Sequence, residues 1–498
     1  MIARLFLPCL ALLALAPALR AAAARPNVLL IVADDLTRTA LGAYGNRICR
    51  TPNLDRLAAS SLRFTRAYCQ GTYCGPSRAS FLSGYYPHAT GVLGYTSPRA
   101  AIGERATWPQ HFRQAGYHTA RIGKIYHMGV PGGVEDLGPG RDYHGADDPA
   151  SWTERWNTPG PEWRAAGTGE TLERNPDGTK PVMGGNTFVV VEADGDDDEH
   201  HDGKAAAKAV EFLRARRDRP EPFFLAVGFV RPHVPFVAPR KYFAPYLPYE
   251  NLPLPPKVPG DWDDLPKPGI NYKTSVNMQL DERRQRKAIG GYYASVSFMD
   301  AQVGRVLAAL EAAGLADHTI VIFTSDHAEM FGDHGLMLKA SMHYRPALRV
   351  PLLVHLPGQV TGAESSSLVG SVDLAQTVLD LCGVDVFAGM QGHSLRPVLD
   401  DPTAAVREQI LVEEDEPFDL AMTGGPLRMR TLITAGGRLS AYRGSTEGEL
   451  YGFDDDPDEL DNRWADPGSQ GFRAEMFERL AVEQMLLSDA GSTPTGTA

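Results

Sequence analysis

The sequence predicts an α/β fold with a mostly parallel central sheet flanked by helices, followed by a smaller C-terminal α+β subdomain. Uninterrupted apolar runs of strand length recur along the chain, and each ends in polar or acidic residues. Such runs are typical of strands buried on both faces of a parallel sheet. Segments with helical periodicity lie between them, which is the alternation of α/β folds. After about residue 400 this alternation stops.

The elements are predicted in chain order from these runs. The run "RPNVLLIVADDL" (25–36) predicts a first buried strand that delivers Asp34 and Asp35 at its carboxyl end. Further strands are predicted in "HTARIGKIYH" (118–127), "EPFFLAVGFVRPHVPF" (221–236), "HTIVIFTSDHAEMFGDHG" (318–335) and "RVPLLVHLPG" (349–358). The segment "YYASVSFMDAQVGRVLAALEAAGL" (292–315) predicts a long helix that ends near Gly314.

The first 24 residues have the pattern of a secretory signal peptide. Arg4 precedes the apolar run "LFLPCLALLALAPAL", and the small residues "AAAA" follow it. This run is too short for a stop-transfer helix, and the residues that flank it are small. The sequence therefore predicts export to the periplasm or the extracellular space, without stable membrane insertion.

Domain boundaries are predicted where the patterns change. Residues 1–24 are the signal peptide, 25–400 the main α/β domain, and 401–498 a C-terminal subdomain with a small antiparallel sheet and a terminal helix. Residues 130–200 are rich in Gly, Pro, Trp and Asp, which predicts long loops that wall a pocket. Their acidic run (192–203) is interpreted as a solvated loop ahead of a helix rather than as a second cation site.

Composition and charge exclude some classes of function. The formal net charge is −12, and it becomes about −14 without the signal peptide, which carries two arginines and no acid. This balance disfavours a nucleic-acid partner held through phosphate contacts, although a local basic pocket can still bind an anion. Five cysteines without a CxxC pair are not a disulfide framework. The roles of Cys49, Cys69 and Cys382 stay open at this point.

Metal-ligating side chains follow several of the predicted strands. Five acids and histidines lie at such exits: Asp34, Asp35, His233, Asp326 and His327. In α/β sheets, ligands bind beyond the carboxyl ends of the strands, so we expect these side chains to lie close together. Carboxylates suit Ca²⁺ or Mg²⁺, and an Asp/His mixture also suits zinc, whereas each aspartate alone could merely cap a helix.

Cationic and titratable side chains belong to the same regions of the sequence. Lys124 and His127 are three residues apart in "GKIYH", and Lys339 follows "GDHGLML". Alone, each would be a surface charge or a satisfied loop residue. Together they could line a pocket for a tetrahedral dianion, with groups for proton transfer.

Cys74 opens the stretch "CGPSRASFLSG" and has several possible uses. A helix beginning near Pro76 would place Cys74 at its positive N-terminal end, with Arg78 one turn further on. Cys74 could be a thiol nucleophile, a disulfide partner of Cys69, a metal ligand or the precursor of a modified residue.

Six segments together resemble the type I, formylglycine-dependent sulfatases. "CGPSRASFLSG" resembles the family's Cys-x-Pro-Ser-Arg signature, whose cysteine is oxidised after translation to Cα-formylglycine (3-oxoalanine). "NVLLIVADDL" resembles the N-terminal strand with its metal-binding acids. Four further segments resemble the iduronate-2-sulfatase branch of the family in particular: "GKIYH", "FVRPHVPF", "YYASVSFMDAQVGRVL" and "TSDHAEMFGDHG". The resemblance runs from about residue 25 to about residue 465 and implies an alkaline-phosphatase-like fold.

The resemblance implies a sulfuric ester hydrolase that removes sulfate from a sulfated carbohydrate, as in polysaccharide degradation. A formylglycine hydrate would attack sulfur, and the second hydroxyl on the same carbon would let sulfate leave. The implied ligands of a Ca²⁺ ion are Asp34, Asp35, Cys74 in its modified form, Asp326 and His327. The implied catalytic residues are Cys74, Arg78, Lys124, His127, His233 and Lys339. A formylglycine-generating maturation enzyme is the implied partner.

The resemblance also implies roles for these side chains. Arg78 and Lys124 would hold the hydrate, and His127 would take a proton from it. His233, assisted by Lys339, would protonate the leaving oxygen.

This chain departs from the family pattern at a few positions. Gly75 stands where Ala, Ser or Thr is commoner, so the sequence does not fix how fully Cys74 is converted. "LSGY" replaces the more usual "LTGR", and His327 replaces an asparagine found in many sulfatases.

Three other functions stay open at the sequence level. They are a phosphonate or phosphodiester hydrolase of the same superfamily, a two-zinc phosphatase, and a secreted carbohydrate-binding protein without activity. The sequence does not determine the sugar, the sulfate position, exo or endo action, or the oligomeric state.

Overall fold

The computed structural model describes residues 25–128, 144–174, 178–180, 188–256, 258–272 and 280–488. The predicted signal peptide lies outside the described residues. The strands are β1 (Asn27–Asp34), β2 (Leu62–Tyr68), β3 (His118–Gly123), β4 (Glu154–Trp156), β5 (Gly167–Thr171), β6 (Val189–Ala193), β7 (Phe223–Pro232), β8 (Phe236–Pro239), β9 (Thr319–Ser325), β10 (Leu352–His355), β11 (Ala363–Gly370), β12 (Gln409–Glu414), β13 (Met429–Thr434), β14 (Gly437–Tyr442) and β15 (Gly448–Gly452).

The α-helices lie mostly between these strands. They are α1 (Pro52–Ala58), α2 (Cys74–Ser83), α3 (Pro87–Thr90), α4 (Pro98–Ile102), α5 (Trp108–Gln114), α6 (His201–Arg216), α7 (Glu282–Ala312), α8 (Arg345–Leu348), α9 (Asp373–Leu381), α10 (Arg396–Asp400) and α11 (Gln470–Leu486). None of these helices is both long enough and apolar enough to cross a bilayer.

An eight-stranded sheet forms the centre of the molecule. Its strand order is β11-β2-β10-β9-β1-β7-β3-β4. Strand β1 pairs in parallel with β7 and β9, and β3 pairs in parallel with β7 and β4. Strand β10 is antiparallel to both of its neighbours, β2 and β9. The mostly parallel central sheet is confirmed, and the strand predicted in "RVPLLVHLPG" exists but runs against the others.

Both faces of this sheet are covered, which explains the uninterrupted apolar runs. In β1, Leu29, Ile31 and Ala33 belong to the core beneath α6 and α7. The alternate residues of β1 belong to the core beneath α2, α5 and α9. Because successive strand side chains point to opposite faces, a strand covered on both sides must be apolar at every position. Each Val, Leu or Ile buried in this way contributes about 1.5–3 kcal/mol.

Several predicted elements shift at their ends. Helix α7 begins at Glu282, ten residues before the predicted start, because the Asp281 side chain accepts from Arg284 N and caps it there. The acidic run of 192–203 includes a capping box between Asp196 and Glu199 and leads into α6. The region predicted as loops, where described, also contains β5 and β6, which form a three-stranded sheet with β8.

The C-terminal part forms a second, smaller layer. Strands β12, β13, β14 and β15 make an antiparallel sheet in that order, and α11 packs against it. This agrees with the predicted α+β character. Ile410, Val412 and Ile433 also pack into the core of the main sheet, so the two parts share buried surface. The boundary at residue 400 stays a prediction.

Candidate active site

The acidic side chains meet because their strands are neighbours. Asp34 ends β1, and Asp326 directly follows β9, the parallel neighbour of β1. Asp35 turns the chain away from the sheet in the left-handed region, with φ of 62°. Its backbone N–H donates to Asp326 Oδ1 at 3.2 Å. The carboxyl ends of parallel strands thus bring three carboxylates together, as expected from the sequence.

Cys74 lies at the first residue of α2 and is completely buried. The helix begins two residues before the predicted start at Pro76, so Cys74 is part of its first turn. Cys74 Sγ is 3.1 Å from His327 Nε2. Ser77, one turn along, donates from Oγ to the carbonyl oxygen of Asp326 at 2.5 Å. The positive end of α2 therefore faces the acidic cluster, which favours anionic groups there.

Arg78 ties the strand ends to one another. Its guanidinium donates to Asp326 Oδ2 and to Asp34 Oδ1, both at 2.9 Å. It also donates to the backbone carbonyls of Lys124 at 2.9 Å and Ile125 at 2.8 Å. These contacts use four of its five N–H donors and compensate a fully buried charge. Arg78 thereby fixes both carboxylates relative to the chain segment after β3.

The two adjacent aspartates differ in their contacts. Asp34 accepts from Arg78 on one oxygen and from Lys124 Nζ on the other, at 2.5 Å. Burial raises the pKa of Asp34, but the charges of Lys124 and Arg78 outweigh it and hold this pKa well below its usual range. Asp35 Oδ1, by contrast, is buried without a hydrogen-bond partner among the described residues.

Four of the five residues predicted as metal ligands form one compact group. Asp35, Cys74, Asp326 and His327 each offer a ligand atom, and these atoms lie within 4.8 Å of one another. The group offers carboxylate oxygens, one imidazole and the side chain of residue 74. Asp34 lies beside it, with both oxygens held by cations. No second group of this kind occurs within the part of the chain that the structure describes.

His327 is oriented to face this group. Its Nδ1 lies 3.1 Å from the Ala328 carbonyl oxygen, which fixes Nδ1 as the donor and leaves Nε2 facing Cys74. Burial lowers the pKa of His327, but the negative charges of Asp326, Cys74 and Asp35 raise it to about 10. An environment that favours protonated imidazole this strongly also favours a metal cation.

Lys339 and His233 approach Asp35 from the other side. Lys339 Nζ forms an ion pair with Asp35 Oδ2. His233 Nε2 is 3.7 Å from the same oxygen, while its Nδ1 contacts the Val234 carbonyl. Burial, followed by the charge of Lys339, holds the pKa of His233 well below its usual range. Both effects favour the neutral form of His233.

His127 is the last of the predicted catalytic residues, and it lies on the same side of the site as Lys124. Burial, then Lys124, holds its pKa well below the usual range, which favours the neutral imidazole. Its Nδ1 is buried and has no hydrogen-bond partner among the described residues. Its ring stacks on Tyr95, with centroids 3.8 Å apart and an interplanar angle of 14°. All ten residues singled out from the sequence thus lie in one connected neighbourhood.

Sequence reasoning missed three residues of this neighbourhood. Ser77 stands in the quoted signature but was given no role. Glu329 lies within "TSDHAEMFGDHG"; it is buried, accepts from Leu338 N, and has a pKa raised to about 7 by burial and by Asp35. Tyr95 belongs to no motif, so nothing in the sequence could have placed it beside His127.

The disulfide considered for Cys74 does not form. Cys49, Cys69, Cys74 and Cys382 are all buried free thiols. Cys69 Sγ instead lies 4.0 Å from the Ala347 carbonyl oxygen. Cys74 is therefore available to the cluster of acids and histidines.

Comparison with known families gives two matches. The sulfatase family model matches residues 26–384. A model described as the C-terminal part of N-sulphoglucosamine sulphohydrolase matches residues 332–485. Together these two matches include every described residue of the candidate site and all four strands of the C-terminal sheet.

Individual proteins are also similar. Human iduronate 2-sulfatase is 34% identical over 403 residues, which are 72% of this chain and 69% of the human protein. The phosphonate monoester hydrolase of Silicibacter pomeroyi has a similar fold, with a TM-score of 0.75, 23% identity and coverage of 93% and 96% of the two chains. A structure solved with its substrate D-glucosamine-2-N,6-O-disulfate gives a TM-score of 0.72 at 22% identity, covering 94% and 100%.

Proposed function

Because the chain belongs to the sulfatase family and is a sulfuric ester hydrolase, we propose that it removes sulfate from a sulfated carbohydrate. The human relative is named for a sulfated sugar, and the substrate in one similar structure is a disulfated glucosamine. One observation carries the proposal. Cys74, the residue of the signature motif, lies against His327 and within the group that Asp35 and Asp326 complete.

The same group fits a Ca²⁺ ion. Hard cations prefer carboxylate oxygens, and the buried Asp35 Oδ1 has no hydrogen-bond partner among the described residues. Asp35, Asp326, His327 and the side chain of residue 74 would hold the ion, with Asp34 beside them. When bound, Ca²⁺ would neutralise charge on the sulfate oxygens and lower the pKa of the nucleophile. Lys124 and Arg78 keep Asp34 ionised, which adds negative charge next to the ion.

Conversion of Cys74 to Cα-formylglycine fits this position as well. The hydrated aldehyde would supply two hydroxyls on one carbon, one to attack sulfur and one to release sulfate. Lys124 reaches Asp34 beside this position, and Arg78 keeps one N–H donor beyond those already used. Both cations can therefore orient an oxygen on residue 74 without losing their contacts to the carboxylates.

Two histidines with lowered pKa values can move protons here. His127 is neutral and can accept a proton at a ring nitrogen, as a general base. Lys339 shares the Asp35 carboxylate with His233, so a proton from Lys339 can pass to a leaving oxygen on that side, directly or through the His233 imidazole. General acid–base steps of this kind are worth about 10²–10⁴-fold each.

The proposal is tested by sulfate release and by mass. We expect the chain, expressed with a formylglycine-generating enzyme, to lose about 18 Da at Cys74, the difference between CH₂SH and CHO. It should release sulfate from sulfated di- and oligosaccharides, and Cys74→Ala should not. Cys382→Ala, which removes a buried thiol elsewhere, is the matched control. Turnover at the wild-type rate in Cys74→Ala would refute the assignment of residue 74 as the nucleophile.

Rates on an aryl sulfate and an aryl phosphate diester separate this function from the superfamily alternative. Faster turnover of the diester would assign the chain to phosphodiester or phosphonate hydrolysis. Zinc in place of calcium in the purified protein would instead support the assignment of a two-zinc phosphatase. An unshifted mass and no sulfate release would favour a binding protein. Export to the periplasm or outside the cell, and maturation by a separate enzyme, are parts of the same proposal.

A further inference from the structure

Tyr95 lies beside the candidate nucleophile although no motif contains it. Its ring stacks on His127, with centroids 3.8 Å apart, and on Tyr73, with centroids 4.8 Å apart and planes 21° from parallel. Tyr73 directly precedes Cys74 and occupies the N-cap position of α2. Tyr95 itself is 46% exposed, so core burial does not explain its position. One half-exposed ring thus connects the base candidate to the residue next to the nucleophile.

Gly75 is the position that makes this arrangement possible. A Cβ at residue 75 would overlap the carbonyl oxygen of Gly94 and lie 2.9 Å from its carbonyl carbon. It would also lie 3.6 Å from Tyr95 Cδ1. The obstacle is backbone, which cannot rotate away as a side chain can. The segment carrying Tyr95 therefore rests directly on the first turn of α2, and only glycine on the helix side leaves room for it.

His127 lacks the hydrogen bond that orients the other two histidines of the site. In His233 and His327, Nδ1 contacts a backbone carbonyl, which fixes the ring and its tautomer. The buried Nδ1 of His127 has no hydrogen-bond partner among the described residues. The near-parallel stack with Tyr95 is a contact that restricts the rotation of its ring.

We propose that Tyr95 is a positioning residue for His127, and that glycine at position 75 is required to admit it. The inference rests on the proposed function, in which His127 accepts a proton near residue 74. A general base works only when its nitrogen is held at the right distance and angle. Stacking supplies that restraint here through an aromatic face and needs no hydroxyl group.

Two substitutions of Tyr95 separate the ring from its hydroxyl. In Tyr95→Ala we expect kcat to fall by about 10- to 100-fold, less than the full value of a general base, with KM nearly unchanged. Tyr95→Phe keeps the stack and should retain most of kcat. A rise in KM at constant kcat would instead place Tyr95 in substrate binding and overturn the proposal. Equal loss in both variants would also overturn it, because the hydroxyl would then be responsible.

A double-mutant cycle with His127 tests whether Tyr95 acts through that residue. If it does, Tyr95→Ala should cost no more than about twofold further once His127→Ala is present. A purely structural role would lower kcat by the same factor in both backgrounds. Additive losses would therefore contradict the proposal, and circular dichroism of each variant checks that all are folded.

The glycine is tested by Gly75→Ala against Gly94→Ala. Both substitutions add one methyl group, but a Cβ at residue 75 overlaps the Gly94 carbonyl oxygen, whereas a Cβ at residue 94 meets nothing within 4 Å. We expect Gly75→Ala to lower kcat per converted enzyme by about as much as Tyr95→Ala, and Gly94→Ala to be tolerated. Mass spectrometry gives the converted fraction, so poor modification is not mistaken for poor positioning. Full activity in converted Gly75→Ala would refute the requirement for glycine.

The outcomes also distinguish this inference from the proposed function. A wild-type protein that releases no sulfate after conversion of Cys74 would refute the function. A wild-type protein that is active while Tyr95→Ala matches it in kcat would refute only the role of Tyr95.

Discussion

At the residue scale, neighbouring side chains of the same type have different tasks. Asp34 accepts from two cations, whereas Asp35 keeps one buried oxygen that has no hydrogen-bond partner in the described part of the chain. The difference arises from the left-handed φ of Asp35, which turns its carboxylate toward Cys74 and His327. A non-glycine residue in this region costs about 1 kcal/mol or more, and the surrounding contacts compensate it.

Calcium binding should depend on Asp35 more than on other acids. We expect Ca²⁺ to raise the unfolding temperature, with a gain of about 2.7 kcal/mol when its concentration is a hundred times Kd. A chelator should reverse the gain. Asp35→Asn should abolish this gain, because an amide carries no negative charge and offers one oxygen in place of two. Asp198→Asn on the exposed acidic run serves as the control. If Ca²⁺ did not change the unfolding temperature of the wild-type protein, the assignment of a calcium site would be contradicted.

His127 should matter for a later step than Cys74. In His127→Ala we expect kcat to fall by about 10²–10⁴-fold, because a general base is lost while the nucleophile stays. Sulfated enzyme should then accumulate and appear in the intact mass as a gain of about 98 Da over the aldehyde form, because the sulfated hydrate equals the aldehyde plus H₂SO₄. His111→Ala, on the surface at α5, is the control. A normal rate in His127→Ala would rule out its role as base.

At the element scale, a side chain that is distant in sequence can cap a helix whose own N-cap residue makes no capping hydrogen bond. Helix α1 has Thr51 at its N-cap, but the Thr51 side chain makes no capping bond. Asp300 of α7 caps it instead, accepting from Asn53 N at 3.1 Å and Leu54 N at 2.8 Å. The exposed N-cap of α7 itself uses the local residue Asp281. One helix thus caps another across the interface between them.

Asp300→Ala should therefore destabilise the protein more than an ordinary cap mutation. It leaves two N–H groups at the start of α1 unpaired in a buried place, so we expect the free energy of unfolding to fall by about 2–4 kcal/mol. Asp281→Ala, at an exposed cap, should cost about 1 kcal/mol. Urea unfolding of both variants measures the difference. Equal losses would show that α1 finds other partners.

At the scale of the whole molecule, the C-terminal sheet is joined to the main domain by polar contacts as well as apolar ones. His88 of α3 contacts Glu413 of β12 through Nδ1 at 2.8 Å, and its Nε2 lies 2.9 Å from the Leu487 carbonyl oxygen. Thr72, two residues before Cys74, donates to Glu414 Oε2 through its backbone N–H and its hydroxyl. The C-terminal sheet thereby supports the segment that carries the nucleophile.

The His88 contact should depend on pH. Burial lowers the pKa of His88, but the hydrogen bond and charge of Glu413 outweigh it, so the folded pKa is raised above the ordinary value. Because the pKa of His88 is higher in the folded than in the unfolded protein, protonated His88 contributes its full stabilisation at pH values below the unfolded pKa. This contribution to the free energy of unfolding is lost as the pH rises through the folded pKa. His88→Ala should thus lose more stability at about pH 5.5 than at about pH 8.5. A loss that grows with pH would contradict the assignment.

The sequence by itself determined the fold class and most of the site. Local patterns reveal a buried strand and the polar residues at its end, so the acids after β1 and β9 and the signature at Cys74 could be recognised. The rule that parallel strands share a carboxyl edge then brought them together. Helix starts were harder to predict, because the caps of α1 and α7 depend on a few individual hydrogen bonds to Asp300 and Asp281.

Only the tertiary structure decided how these residues divide their tasks. The direction of β10, the choice of Asp35 over Asp34 for the metal group, and the contact of Tyr95 with His127 all join residues far apart in the chain. No local pattern encodes such a distance, because it is set by the packing of complete elements. Gly75 is the clearest case: in the sequence it is a departure from a motif, and in the fold it is the space that the backbone of Gly94 occupies.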